Sequence, residues 1–333
     1  MESTPFAICN PGVSCKVEHS FRRRSSAPCV NHNTSPLTFK TIRQSDMKLI
    51  FPYLCLEKGR TTDFSYGGLL MWVDYFRYEF CIYRDTLFIK GVTEDDTSLP
   101  AFSLPVGALP LDESVDLIKR YCHRHGIRPE FSAVPEHAVE AFASLFPKSI
   151  LPLEDWGDYL YNIEPMTTLA GKKMSKKRNH VNRFMAENPD AETVDLTADN
   201  VDEVMDFMDV YDSEADGAPM EIAESRLTRR MLSLIKEGDT HLEGVILRAG
   251  GRTAGFSVGD IKGDTLFVHI EKATRTLTGS YETVARAFAA RMSEKHPELR
   301  FVNREDDGGD EGLRKSKLSY HPVEVLKKFN IIF

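Results

Sequence analysis

The chain has 333 residues and a formal net charge of −8, a length that suggests about two domains and excludes a single small module. Hydrophobic residues make up 41% and charged residues 28% of the sequence, so a largely disordered protein is excluded. The acidic balance also excludes a surface coated with positive charge for bulk nucleic-acid binding, so any contact with a polyanion must be local.

Residues 1–37 are rich in Ser, Pro, Asn and Cys and show no apolar periodicity, which predicts a disordered tail. All six cysteines lie within the first 122 residues, a distribution that favours reduced thiols over a disulfide framework. Some of them lie near histidines in the tail, at spacings that miss the paired C-x2-C pattern of zinc sites (Cys9, Cys15, His19, Cys29 and His32). The sequence therefore predicts no metal site.

No run reaches the roughly 18 apolar residues that a membrane helix needs. The start of the chain also lacks the apolar core of a secretory signal. A transit peptide is the less fitting alternative, because Glu2 and Glu18 are acidic and no amphipathic face is present. The sequence thus predicts a cytoplasmic protein without a transmembrane segment.

The first lobe is predicted over residues 38–157. Aromatic and β-branched residues in 70–83 and 86–91 indicate adjacent strands joined by a short turn. The apolar spacing of 112–126 predicts a helix that ends at Gly126, a residue type common at helix ends.

The second lobe is predicted over residues 158–333. Its predicted order is strand 159–163, strand 192–196, a short helix from Val201, helix 221–237, an antiparallel three-stranded meander in 241–273, helix 280–294 and strand 298–303. Asn200 and Glu203 are predicted to form a capping box before the first of these helices. This order predicts a mixed α/β fold, because neither a parallel alternation nor a sandwich fits it.

A basic segment opens the second lobe, with six Lys or Arg residues and no acid between Gly171 and Arg183. On a helix, Lys173, Lys177 and Arg178 would share one face, with apolar residues turned to the core (Met174, Val181 and Phe184). This face is predicted to bind phosphates, because crowded like charges cost stability unless a polyanion or acidic partner offsets them. The alternative is a solvated helix paired with the acidic stretch 190–224.

Gly279 and Ser280 lie where a strand and loop pass into a predicted helix. Free backbone N–H groups and the helix dipole at such a position can hold a phosphate, and the glycine would let the ligand approach closely. The alternative is that Ser280 is an ordinary N-cap.

His269, Glu271 and Lys272 belong to the end of a predicted strand or the loop beyond it. Alternation would send His269 and Glu271 to one face and Lys272 to the other. A carboxylate or an imidazole can accept the proton of an attacking amine, and a lysine can stabilise a carbonyl that gains negative charge. The alternative is a surface pair of Glu271 with Lys272, and a histidine packed in the sheet.

The densest polar cluster spans residues 303–317 and mixes acids, bases and glycines. Arg314 offers a planar fork for a phosphate or a carboxylate, and Asp307 could orient that fork or hold an incoming amine. A plain solvated loop is the alternative.

Four segments resemble the C-terminal catalytic domain of bacterial phosphatidylglycerol lysyltransferases: KKMSKKRNHVNRF (172–184), VHIEKA (268–273), TGSY (278–281) and NREDDGGDEGLRKSKLSYHP (303–322). The chain is more closely similar to the soluble relatives of that domain, and it shows a wider kinship with Fem-type aminoacyl transferases. The resemblance covers about residues 38–333. It implies a mixed α+β fold of two tandem GNAT-like lobes, each a mostly antiparallel sheet flanked by helices.

The resemblance also implies site residues. Four positions of the dense cluster match the motif of the family (Glu305, Asp307, Arg314 and Lys317). In the GNAT arrangement the strand end with His269, Glu271 and Lys272 borders the reacting centre, and Asp307 joins these catalytic candidates. The turn at Gly279 and Ser280 would cradle the pyrophosphate of a cofactor, although the full GNAT signature of spaced glycines is missing. That absence counts against acetyl-CoA and leaves aminoacyl-tRNA open.

These features predict an acyl or aminoacyl transferase that moves an activated acyl group from aminoacyl-tRNA or acyl-CoA onto an amine or hydroxyl by direct attack. No tightly bound cofactor is expected, tRNA is an expected partner, and the acceptor is a small molecule, a peptide or a lipid headgroup. No cysteine follows Cys122 and no G-x-S-x-G elbow is present, so a covalent enzyme intermediate is not needed. The alternative is a non-catalytic GNAT-like module that binds RNA or an acidic partner through the basic helix.

Overall fold

The computed structural model describes residues 35–214 and 219–333. The predicted disordered tail lies outside the described residues up to position 34, and so do the cysteines near its histidines. The first described residues already pack on the first lobe, because the Ser35 hydroxyl donates to the carbonyl of Leu117 at 3.0 Å and Leu37 is buried. Residues 35–37, which the sequence assigned to the tail, are therefore part of the folded chain.

The described residues form fifteen strands. In chain order they are β1 (Lys40–Thr41), β2 (Glu79–Tyr83), β3 (Thr86–Val92), β4 (Pro100–Phe102), β5 (Val106–Gly107), β6 (Glu130–Pro135), β7 (Ser149–Pro152), β8 (Asp158–Asn162), β9 (Glu192–Asp195), β10 (Leu242–Ala249), β11 (Arg252–Lys262), β12 (Thr265–Ala273), β13 (Phe301–Asn303), β14 (Glu324–Leu326) and β15 (Lys328–Ile332). The first sheet has the order β1-β2-β3-β4-β6-β15-β7, with β5 paired to β3, and the second has the order β14-β8-β13-β12-β11-β10-β9.

The same residues form ten α-helices and three short 3-10 helices. The α-helices are α1 (Met47–Leu54), α2 (Tyr66–Trp72), α3 (Leu111–His125), α4 (Glu136–Ala143), α5 (Ile163–Thr168), α6 (Ser175–Glu187), α7 (Val201–Ser213), α8 (Pro219–Lys236), α9 (Ser280–Lys295) and α10 (Glu311–Leu318). In the described part of the chain, no helix combines the length and the apolar character that crossing a bilayer requires. The predicted mixed α+β fold, with two mostly antiparallel sheets and flanking helices, is confirmed.

Three local predictions from turn chemistry are confirmed. Arg84 and Asp85 both have positive φ, at 48° and 53°, which is the geometry of a tight two-residue hairpin turn. Gly126 has a φ of 65° and ends α3. Gly250 and Gly251 turn the chain between β10 and β11, so the predicted meander forms.

The predicted strand over 70–83 is wrong in its first part, which is the end of α2. Leu70 and Met71 are buried there, and a short continuous apolar run does not distinguish a buried helix from a buried strand. Ser65 starts the helix, since its hydroxyl accepts a hydrogen bond from the N–H of Gly68 at 3.0 Å.

The predicted capping box before α7 is also wrong. The side-chain oxygen of Asn200 accepts from the N–H of Thr197 at 2.7 Å, outside the helix. The carboxylate of Glu203 binds the guanidinium of Arg248 at 2.6 and 3.0 Å instead. A two-point ion pair outcompetes the single bond that a capping glutamate makes.

The last strand belongs to the first sheet, although the sequence places residues 158–333 in the second lobe. β15 lies between β6 and β7, with Ile331 opposite both Phe131 and Ile150. A strand of five residues carries no local signal for the sheet that it joins, so this return was not predicted.

The interface between the lobes is partly ionic. The α1 and α2 helices share one hydrophobic core with α7, α8 and the second sheet. Lys328 Nζ lies 2.9 Å from Asp63 Oδ2 and 2.9 Å from Asp158 Oδ1, with its side chain only 3% exposed. Lys262 Nζ lies 3.2 Å from Glu57 Oε2 in a second buried pair. Buried charges at the lobe interface are therefore neutralised by residues of the opposite lobe.

Candidate functional site

Two neighbouring strands of the second sheet separate at a point where charged residues follow. The parallel pairing of β12 with β13 ends at Phe267 and Asn303. Beyond it, the chain stays with β8, because Arg304 N donates to Tyr159 O and Tyr159 N donates to Glu305 O, both at 3.0 Å. We call the space between Val268–Ala273 of β12 and the Arg304–Asp307 segment the strand gap.

Two ion pairs cross the strand gap. Arg304 Nη2 lies 2.6 Å from Glu271 Oε1, and His269 Nδ1 lies 2.8 Å from Glu305 Oε1. The predicted residues at the end of β12 therefore face the start of the dense polar cluster.

A β-bulge changes the faces that these residues occupy. Val258 pairs with Ile270 and Gly259 with Val268, so His269 is an extra residue in β12. The bulge reverses the alternation expected for a regular strand. As a result His269 lies against α2, whereas Glu271 lies on the side of α6 and α9. The prediction that the two share a face is wrong.

The Glu271 cluster consists of Glu271, Arg304, Tyr320, Lys177 and Glu282. Burial raises the pKa of Glu271, and the positive charge of Arg304 only partly opposes this shift. Two cations lie over the Tyr320 ring, with Arg304 Cζ at 4.6 Å and Lys177 Nζ at 4.1 Å from its centroid. Lys177 Nζ also lies 3.4 Å from Glu282 Oε1.

One donor of this cluster is unused among the described residues. Arg304 Nη1 is buried and has no hydrogen-bond partner there, although Nη2 of the same guanidinium binds Glu271. A buried donor without a partner is costly unless a ligand or water completes it. The cluster therefore combines a carboxylate that binds protons more readily than usual with a guanidinium N–H that lacks an acceptor among the described residues.

His269 is fully buried and bonded at both ring nitrogens. Nδ1 faces Glu305, and Nε2 faces Asp260 at short range. Burial acts to lower the pKa of His269, but the hydrogen bonds to Asp260 and Glu305 outweigh it and raise the pKa to about 10. The two carboxylates therefore favour the cationic form of the ring. In that state it cannot accept the proton of an attacking amine, which departs from the expected role.

Lys272 lies on the opposite face from Glu271. Its Nζ is 2.9 Å from Glu224 of α8 and 4.9 Å from the centroid of the Tyr211 ring. The structure therefore does not bring Lys272 together with Glu271.

Asp307 and Arg314 are brought together as predicted, but they bind each other. Arg314 donates to both oxygens of Asp307 at 2.7 and 3.0 Å, and the Tyr159 hydroxyl donates to Asp307 at 2.5 Å. Burial acts to raise the pKa of Asp307, but Arg314 and Tyr159 hold it below the ordinary value. Lys317 Nζ donates to the carbonyl of Arg304 at 2.6 Å. These residues fix the loop beside the strand gap.

The three predicted phosphate ligands of the basic segment do not share one face. Lys173 is exposed before α6, Lys177 points into the Glu271 cluster, and Arg178 Nη1 donates to the carbonyl of Leu169 at 2.5 Å. The predicted core residues are buried as expected (Met174, Val181 and Phe184). Lys177 reaches Glu282, rather than the acidic stretch 190–224 of the alternative.

The turn before α9 is packed against protein. A Cβ on Gly279 would lie 2.8 Å from the carbonyl carbon of His180, and its φ is 86°. The close approach that requires glycine is therefore that of the α6 backbone. Gly279 is the N-cap residue of α9 and the Ser280 hydroxyl donates to the carbonyl of Thr274 at 2.7 Å, so Ser280 is not the N-cap that the alternative expected.

Sequence reasoning missed the roles of Arg304, Tyr320 and Asp260. Asp260 offered a signal, because it is an acid at a buried position of the apolar β11 strand. Arg304 and Tyr320 lie in the polar, family-like segment 303–322, but only tertiary packing brings them to Glu271. No group of three or more His, Cys, Asp or Glu in residues 35–214 and 219–333 is arranged to hold a metal ion.

A family model described as the C-terminal part of phosphatidylglycerol lysyltransferase matches residues 57–332. A conserved protein of unknown function from Bacteroides thetaiotaomicron is 28% identical, with 89% of this chain and 99% of that chain covered and a TM-score of 0.79. L-PGS from Bacillus licheniformis is 14% identical, with 86% and 91% covered and a TM-score of 0.58. FemX is 8% identical, with 89% and 97% covered and a TM-score of 0.58.

At 14% and 8% identity, the structures of L-PGS and FemX show only that the fold is shared. Among curated proteins, the uncharacterized protein MYCGA3080 of Mycoplasmoides gallisepticum is 24% identical over 173 residues. That match spans about half of each protein, 52% of this chain and 54% of the relative. The resemblance drawn from the four sequence segments is confirmed.

Proposed function

Because the chain belongs to the phosphatidylglycerol lysyltransferase C-terminal family, we propose that it transfers an aminoacyl group from aminoacyl-tRNA onto an amine or hydroxyl acceptor. Family and fold both point to an aminoacyl or acyl transferase of this kind. Acyl-CoA is the second donor class, and the acceptor is a small molecule, a peptide or a lipid headgroup.

The observation that carries the proposal is the pairing of Glu271 with a guanidinium that keeps one donor free. In the proposed step, the acceptor nitrogen or oxygen attacks the acyl carbonyl carbon, and Glu271 takes the proton that the acceptor loses. Arg304 Nη1 donates to the carbonyl oxygen as negative charge develops on it. The ester bond to the ribose then breaks, and the proton held by Glu271 passes to the leaving oxygen.

The turn before α9 favours a tRNA donor over a CoA donor. Residues 274–279 lack the spaced glycines of a pyrophosphate loop, and the carbonyl of His180 lies at the position where Gly279 would admit a ligand. Exposed lysines remain at the start of α6 for backbone phosphates (Lys172, Lys173 and Lys176).

A donor assay tests this proposal. Purified protein is given mixed aminoacyl-tRNA with labelled amino acids, or labelled acetyl-CoA, together with either phosphatidylglycerol vesicles or a lysine-containing peptide. We expect label to leave tRNA and to appear on one acceptor, as measured by mass spectrometry, while acetyl-CoA is not consumed. Transfer from acetyl-CoA alone would contradict the tRNA donor, and binding of tRNA without transfer to either acceptor would favour the non-catalytic module.

The exposed lysines give a separate prediction on binding. Replacing Lys172, Lys173 and Lys176 with Gln should flatten the salt dependence of tRNA binding, by about 0.9 in the log–log slope for each lost duplex phosphate contact. Titrations at several salt concentrations measure that slope. Lys327→Gln is the control, because Lys327 is an exposed lysine of the first-lobe side, paired with Glu136. An unchanged slope in the triple variant would show that these lysines are solvated and do not contact phosphates.

A further inference from the structure

The first turn of α2, in the first lobe, is hydrogen-bonded to the second sheet beside the strand gap. The backbone N–H groups of Tyr66 and Gly67 donate to the carboxylate of Asp260 on β11, at 3.2 and 2.9 Å. The same carboxylate is also hydrogen-bonded to Nε2 of His269. Asp260 therefore joins α2 of the first lobe to the bulge of β12.

Gly67 is needed for this contact. A Cβ at its position would lie 2.9 Å from Asp260 Oδ1 and still closer to the His269 ring. No larger residue fits without moving that ring, so the first lobe presses directly on His269.

The other side of the ring holds the segment that carries Arg304. His269 Nδ1 binds Glu305, whose own backbone has a φ of 56°, a conformation unfavourable for a residue with a side chain. The N–H of Glu305 donates to Asn303 Oδ1 at 2.6 Å. A strained backbone persists only where its surroundings hold it. The bond between His269 and the Glu305 carboxylate is one of the contacts that hold it.

We propose that His269 is a positioning residue that ties Tyr66 and Gly67, in the first turn of α2 of the first lobe, to Glu305, and so sets the place of Arg304 in the strand gap. The first lobe then serves as a support for the site of the second. The part that concerns turnover rests on the proposed function, whereas the bonding of the ring does not.

The charge of the ring follows from its neighbours. The charged groups that face it are Asp260 from β11 and Glu305 from the segment after β13; α2 contributes backbone N–H groups that bind Asp260 and the phenol of Tyr66, which bonds to Asp239. Both ring nitrogens must donate to satisfy two carboxylates, so both carry a proton. The raised pKa of His269 agrees with this geometry.

Nitrogen-15 NMR of the histidine rings tests the bonding without any substrate. We expect both nitrogens of His269, assigned by their loss in His269→Gln, to stay protonated up to about pH 9. Asp260→Asn should lower the proton affinity of the ring at least ~10-fold, because one charged acceptor is removed. His296 is the internal control, since it also pairs with a carboxylate, Glu243, but lies at the far end of α9. A ring that is neutral at pH 8 would overturn the proposal.

A double-mutant cycle tests the link to Arg304. His269→Gln should lower turnover ~10-fold or more, the scale seen when a supporting hydrogen bond is lost. In an Arg304→Lys background the further loss should be under about 3-fold, because residues that act as a unit are not additive. Additive losses would show that His269 acts on the fold alone. If the wild-type protein transfers nothing, the proposed function fails, while the NMR measurement still decides the bonding of the ring.

Discussion

Glu271→Gln is expected to lower turnover by ~10²-fold or more, the usual scale for loss of a general base. Glutamine keeps the shape and one acceptor oxygen for Arg304, but it cannot take a proton from the acceptor. The measurement is the rate of label transfer from aminoacyl-tRNA at saturating donor. Glu294→Gln is the matched control, because Glu294 is a largely exposed acid on α9 that pairs with Arg291 at the surface.

The pH dependence of the same variant sharpens the test. Since burial raises the pKa of Glu271, the wild-type rate should fall as the pH drops through that raised value, where the carboxylate becomes protonated. In Glu271→Gln this acidic limb should be missing. Full activity in the variant, or an acidic limb that survives in it, would remove Glu271 from the reaction.

The second large effect concerns stability at the lobe interface. Lys328→Met should cost about 3–5 kcal/mol of unfolding free energy, the range for breaking a buried ion pair from one side. Burial acts to lower the pKa of Lys328, but Asp158 and Asp63 raise it well above its ordinary value, so the charge stays. Its loss leaves the fully buried Asp158 without its cation.

Urea denaturation followed by fluorescence measures this cost. Lys327→Met is the matched control, because the neighbouring lysine is 63% exposed and forms only a surface pair, worth about 0–1 kcal/mol. Adding Asp158→Asn to Lys328→Met should recover part of the loss, since it removes the unpaired charge. A cost near that of the control would show that the interface does not need Lys328.

Local chemistry accounts for what could be read from the sequence. The meander of β10 to β12 alternates regularly between glycine-containing turns, and the Arg84–Asp85 hairpin is fixed by its two flanking strands. The first part of the strand predicted over 70–83 is wrong because α2 is buried on nearly all sides, which removes the polar face that marks a surface helix. The sheet that β15 joins is decided by contacts between residues far apart in sequence, such as Ile331 with Phe131.

The candidate site was readable only in part for a related reason. Glu271 and Asp307 were identified as charged residues near a strand end and a polar loop. The partners of Glu271 and His269 depended on one extra residue in β12, because the bulge at His269 sends Glu271 towards α6 and His269 towards α2. A single-residue shift of this kind changes every facing side chain, and alternation alone cannot reveal it.

Because β15 follows the strands of the second sheet in sequence, the first sheet can be completed only after they have been synthesised. β6 and β7 each pair with β15, which lies between them, so the first sheet lacks the strand that joins β7 to it until residues 328–332 have left the ribosome. Until then Phe131 of β6 and Ile150 of β7 have no strand between them to pair with. The lobe that is translated first is therefore completed last. While the second lobe is made, the unpaired edges of β6 and β7 need protection from other chains.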